Sequence, residues 1–288
     1  MTIVAALALG AALLSAVATI FIRQGLRGSD PYSGFWINLI VGTAALWAAV
    51  LVTGGAIHLS TKSVLLFVLA GLIGTVGGRL LRFLAIDKVG ASVASAVLNL
   101  QPLISTGLAI VFLGEDVTMP IVLGTIIIVA GTVLLSSSGH RLGFRPWQIA
   151  LPLGSAICFG VVAILRKVGL SQMGPVVGTA INVTTALIAY SALMLASGHR
   201  GILACRGRTL GYFVGAGLTE NVAVFLTIVG LSLGAVSVVT PLTATAPIFV
   251  LLLSPFLLRG VEVLNGRVIV GTLLIVFGVY LITALSGR

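Results

Sequence analysis

The chain of 288 residues is 59% hydrophobic and 8% charged, against roughly 25% charged in soluble globular proteins, which excludes an ordinary soluble domain. Its 16 Lys and Arg outnumber 6 Asp and Glu, but they fall one to three per loop with no basic run and no aromatic platform, so no nucleic-acid partner is expected. The excess is read as loops facing anionic headgroups, and the class as an all-α polytopic membrane protein.

A bilayer-crossing helix takes about 20 mainly apolar residues, and ten such runs fit the chain: 3–22, 33–53, 64–86, 92–113, 119–136, 148–166, 176–196, 209–230, 236–257 and 266–284. The first keeps its apolar character through the A-x-A at Ala16–Ala18 and lacks a preceding basic region, so it is expected to be a retained span and not a cleaved signal. The runs are continuously apolar, which argues against a β-barrel. All loops are short, so function has to reside among the helices. The two cysteines, Cys158 and Cys205, sit in different settings and write no disulfide framework.

The chain repeats itself. Glu115, Gly124 and Gly131 recur at the same spacing as Glu262, Gly271 and Gly278; residues 90–102 resemble 234–247 with one inserted residue; Arg23, Pro31 and Asn38 answer Arg166, Pro175 and Asn182. Two five-helix units follow, 1–142 and 146–288. Five is odd, so the second enters the membrane from the opposite side, an inverted repeat of the kind that places a substrate site between the halves near the midplane.

A proline in the fourth span of each unit (Gln101-Pro102, Ala246-Pro247), a glutamate after it and the G-x6-G fifth span resemble the EamA repeat of the drug/metabolite transporter (DMT) superfamily. The resemblance covers nearly the whole chain and is similar to YddG-type amino-acid exporters. It implies a ten-helix secondary carrier of the bacterial inner membrane, with cytoplasmic termini, exporting amino acids or other small metabolites. It also implies that the fifth and tenth helices form a packing or dimerising layer away from the cavity, in a monomer or homodimer. The second copy departs from the first: two extra residues separate Pro247 from Glu262 relative to Pro102 and Glu115, so that loop is remodelled.

Depth sorts the six acids. Asp30, Asp87, Glu115, Asp116 and Glu262 lie at span ends or in loops, as solvated or capping carboxylates. Glu220 lies near the centre of the eighth span, about 16 Å deep by helical rise, where an ionised carboxylate costs at least ~2.5 kcal/mol unless paired, protonated or wetted. It is the expected substrate- or proton-binding group, a structural ion pair being the alternative. Arg79 is the candidate partner for it; Arg82, nearer the boundary, is expected to snorkel to the interface, as are Arg23 and Arg166. The polar residues expected to line the cavity are Ser15, Thr19, Thr75, Asn99, Gln101, Asn221, Thr240, Thr243 and Thr245. Those of spans four and nine flank prolines that free backbone groups one turn back. Asn38 and Asn182 are read as interhelical hydrogen bonds, and the glycine pairs Gly74/Gly78 and Gly211/Gly215 as close-packing faces.

No phosphate-binding loop, zinc motif or nucleophile elbow occurs, and His58, His140 and His199 all fall in loops, so no cofactor, metal or enzymatic activity is expected. The expected function is export by alternating access, with protons coupled through Glu220. Aromatic or other apolar amino acids are favoured because the cavity is expected to hold one acid and few other charges. The alternatives are a carrier or flippase for a drug, sugar or lipid, and a non-transporting assembly protein. Loop charge gives ten basic residues on one side of the membrane and four on the other, which puts the termini outside, against the resemblance.

Overall fold

The computed structural model describes residues 2–53, 60–89, 94, 97–136, 146–198, 205–257 and 266–285. Every element among the described residues is helical: α1 (Thr2–Gly25), α2 (Pro31–Thr53), α3 (Thr61–Ala70), a π-helical stretch Gly71–Gly78, α4 (Arg79–Val89), α5 (Gln101–Leu113), α6 (Met119–Ser136), α7 (Ala150–Gly169), α8 (Pro175–Ala196), α9 (Gly207–Leu233), α10 (Val236–Thr243), α11 (Ala246–Leu257) and α12 (Gly266–Tyr280). Six segments are long and apolar enough to cross a membrane: α1, α2, the continuous run Thr61–Val89, residues Trp147–Gly169, α8 and α9. Shorter apolar helices follow in the remaining predicted spans.

Local sequence explains the boundaries. Asp30 caps α2, its carboxylate accepting from the Ser33 amide at 2.9 Å and the Ser33 hydroxyl at 2.7 Å, and Pro31 occupies the first helical position, where no N–H is needed. Pro175 repeats that role in α8. Gly114, at φ +62°, closes α5 in the left-handed conformation that favours glycine. Two features go beyond the predicted spans. The third runs through the wide turns of GLIGTVGG, a glycine-rich stretch whose small side chains let the backbone widen and press against neighbours. The ninth breaks at Ala244–Thr245 into α10 and α11.

Packing is reciprocal between the two parts of the sequence. Helix α1 lies against α9, α10 and α11, while α7 lies against α3, the π stretch, α4 and α5. Phe213 of α9 is cradled by Gly25 and Gly34, where an added Cβ would meet its ring at 2.5 Å or closer; Phe67 of α3 is cradled in the same way by Gly169 and Gly178. Helices α6 and α12 pair through their glycines. A Cβ on Gly124 would stand 2.8 Å from the Gly278 carbonyl, and one on Gly131 2.8 Å from that of Gly271, so these stripes are backbone contacts of the kind small residues permit. The pair Gly74/Gly78 meets α7 at Val162, Cys158 and Phe159. In the other predicted pair only Gly215 makes such a contact, against Phe21; Gly211 faces open space.

Candidate functional site

The breaks in the fourth and ninth spans set the geometry of the site. Proline lacks the N–H that would bond the carbonyl one turn back. Accordingly α5 starts at Gln101 with Pro102 in its first turn, and α11 starts at Ala246 just ahead of Pro247. Between these breaks and helices α1, α4, α7 and α9 lie two adjoining compartments that share Ser15, Arg82, Gln101, Phe159 and Thr243. One, of about 580 Å³, reaches Thr19, Asn99, Ala244 and Ala246. The other, of about 730 Å³, reaches Ala163, Arg166, Glu220, Thr227 and Thr240. Both volumes count space open to the surroundings.

Arg82 is the residue the two compartments have in common that carries charge. Its guanidinium donates to Glu220 Oε1 at 2.6 Å and to the Thr19 hydroxyl at 2.6 Å. The partner of Glu220 is therefore Arg82 and not Arg79, and Arg82 does not snorkel to an interface: its side chain is 12% exposed. Glu220 Oε2 is buried without a hydrogen-bond partner. One oxygen of this carboxylate is thus paired and the other enclosed and short of a hydrogen bond, in a residue that lines the larger compartment.

Arg79 is more deeply buried, at 2% exposure, and is held by amide oxygens. Its Nη1 donates to Asn38 Oδ1 at 3.0 Å and to Asn221 Oδ1 at 3.3 Å. The second amide hub is Asn182, whose Oδ1 accepts from the Thr75 hydroxyl at 2.9 Å and from Arg166 Nη2 at 3.2 Å. Asn38 and Asn182 are thus interhelical hydrogen-bonding residues, as the repeat suggests, but each also serves as the neutral acceptor for a buried guanidinium. Arg166 corrects a second expectation. It is buried, because α7 continues to Gly169, whereas Arg23, its counterpart in the repeat, is exposed.

At one end of the site the carboxylate of Glu115, carried past Gly114, reaches the first turn of α10. It accepts from the amides of Val236 at 2.7 Å and Ser237 at 3.0 Å and from the Ser237 hydroxyl at 2.7 Å. Lys167 Nζ donates to the carbonyls of Leu231 at 2.7 Å and Gly234 at 2.6 Å. An acid on a helix start and a base on a helix end both oppose the partial charges of the backbone there, and together they pin the α9–α10 corner. Glu115→Ala should cost about 1–2 kcal/mol, the usual loss for a capping side chain. It should lower the melting temperature of detergent-solubilised protein, whereas Asp116→Ala, at an exposed neighbour, should not.

Of the residues singled out from sequence, Ser15, Thr19, Asn99, Gln101, Glu220, Thr240 and Thr243 line the compartments. Thr75, Arg79, Asn221 and Thr245 are buried beside them. The first three belong to the amide hubs, and Thr245 spends its hydroxyl on the Leu242 carbonyl at 2.8 Å. Sequence reasoning missed Arg82 and Arg166 as lining residues, along with the aromatic wall of Phe159. The premise of one acid and few other charges is corrected accordingly: two guanidinium groups face the same space as Glu220. Glu262 and the three histidines lie outside the described residues.

The comparisons with known proteins agree with this architecture. A 136-residue stretch is 28% identical to an uncharacterised transporter of Clostridium kluyveri, covering 46% of this chain and 44% of that protein, so the chain matches less than half the length of that curated relative. A 103-residue stretch is 29% identical to an uncharacterised protein of Methanocaldococcus jannaschii, covering 36% of this chain and 75% of that one. A crystal structure superposes with a TM-score of 0.80 at 21% identity, covering 97% of this chain and 96% of the other, a likeness of fold. The EamA-like transporter family matches twice, over residues 2–137 and 146–284. With nearly every residue inside one or other match, the chain is a multi-pass membrane protein that belongs to the EamA-like transporter family.

Proposed function

We propose that the chain is a secondary exporter of small metabolites, amino acids first among them, in the manner of the YddG-type carriers, working by alternating access in the bacterial inner membrane with its termini on the cytoplasmic side. The observation that carries this reading is the Arg82–Glu220 pair beside an open cavity, with Glu220 Oε2 unpartnered. An α-amino acid brings an ammonium for the free carboxylate oxygen and a carboxylate for the guanidinium groups. Ten spans in two inverted units, 1–142 and 146–288, are supported by the double family match and by the mirrored contacts of Phe67 with Phe213 and of Gly124 with Gly278. A scaffold needs no polar cavity of this kind.

Proton coupling is assigned to Glu220. Reconstituted protein should show counterflow of at least one radiolabelled amino acid, and an imposed pH gradient should drive it. In Glu220→Gln the pH gradient should lose its effect while exchange between unlabelled and labelled substrate persists. A variant whose uptake still follows the gradient as in the wild type removes Glu220 from the coupling path, and absence of counterflow across a full amino-acid panel removes the amino-acid reading.

A further inference from the structure

We propose, building on the transport reading above, that the cavity selects solutes of net negative charge whose carboxylate is taken between Arg82 and Arg166. Three guanidinium groups lie in this region, Arg79 and Arg166 buried and Arg82 partly so, and among the described residues one carboxylate, Glu220, faces them. The other described acids are engaged or exposed elsewhere: Asp30 bonds Ser33, Asp87 pairs with Lys88, Glu115 holds the start of α10 and Asp116 is exposed.

The interior therefore carries an excess of two positive charges. Each buried arginine costs about 2.5–3.5 kcal/mol on insertion scales unless compensated. Arg79 is compensated by two amide oxygens. Among the described residues Arg166 has one acceptor, Asn182, and its Nε is buried without a partner, in a side chain that lines the larger compartment. A low-dielectric wall with unbalanced charge of one sign concentrates counter-ions, and the planar guanidinium fork matches a carboxylate best. For an ammonium on the same solute the described lining offers one carboxylate, that of Glu220, already neutralised by Arg82. A neutral zwitterion leaves the excess in place, whereas a second acidic group on the solute reduces it.

The test compares matched pairs that differ in charge and little in shape: glutamate against glutamine and succinate against succinamate, as competitors of counterflow in proteoliposomes holding the full chain. The acidic member should compete at least about tenfold better, the lower bound for a hydrogen bond to a charged group. Arg166→Gln should collapse that ratio towards one, and Arg166→Lys should keep part of it. Equal competition by both members, or a ratio unchanged in Arg166→Gln, overturns the proposal while leaving transport itself standing. Should no solute support counterflow, the transport reading fails separately. The charge selectivity is then read from ligand-dependent melting of purified protein, where stabilisation by succinate and glutamate but not by their amides upholds it and its absence overturns it. Phosphate esters run as a parallel arm, and stabilisation by these alone overturns the carboxylate assignment.

Discussion

Arg82→Met should lower the stability of the solubilised protein by about 3–5 kcal/mol, the usual consequence of removing one member of a buried ion pair. The loss comes less from the missing contact than from what remains: the carboxylate of Glu220, at 7% side-chain exposure, keeps its desolvation cost and loses its counter-charge. The Thr19 hydroxyl, which accepts from Arg82 at 2.6 Å, loses its donor as well. The double variant Arg82→Met/Glu220→Gln should recover most of the stability, because a neutral amide is far cheaper to bury than a lone charge. It should recover none of the proposed transport. Thermal or denaturant unfolding in detergent measures the first outcome and reconstituted uptake the second. A single variant as stable as the wild type would mean that the pair contributes nothing to the fold.

Asn182→Leu should be the second severe change. The substitution keeps the branched shape and the number of heavy atoms but strips Arg166 of its acceptor and Thr75 of its partner, leaving a buried guanidinium without an acceptor among the described residues. An unsatisfied neutral group costs about 1–3 kcal/mol and a charged one more. Asn38→Leu, its counterpart in the repeat, should cost less, since Arg79 retains Asn221 Oδ1 at 3.3 Å. The ordering of the two melting temperatures is the test, and Asn38→Leu proving the more damaging would contradict it.

The helical, apolar character of the fold is legible in the sequence for a physical reason: continuous apolar runs mark helices in lipid, and proline and glycine mark where they begin, break and touch. The predicted 119–136 coincides with α6 (Met119–Ser136), and the break in the ninth span falls just ahead of Pro247. The partner of Glu220 was not readable, because the sequence offers two arginines three residues apart and says nothing of a π-helical stretch ahead of them. Its wider turns shift the register and so alter which faces Arg79 and Arg82 present. Arg166 was hidden differently. Its repeat partner Arg23 is exposed, and hydropathy ends the sixth span at the first cation, although α7 runs three residues further, to Gly169. Snorkelling is a sound default for an arginine at a boundary, but it fails where a neighbouring helix supplies an amide oxygen.

The two phenylalanine cradles bear on which parts of the molecule could move together. Phe213 sits in a slot cut from α1 and α2, and Phe67 in one cut from α7 and α8, each ring pressed against glycine backbone. Each ring therefore ties its own helix to the opposite half of the sequence. Helix α2 also packs along α8, with Trp36 Nε1 donating to the Ser191 hydroxyl at 2.9 Å and Trp47 Nε1 to that of Thr184 at 2.8 Å, so the two parts of the sequence are tied at a third seam as well. Arg82 on α4 and Glu220 on α9 add a charged tie between the same two parts of the sequence. A cut between the two family matches, 2–137 and 146–284, would part the chain in sequence and yet leave its helices stitched across the break by these contacts.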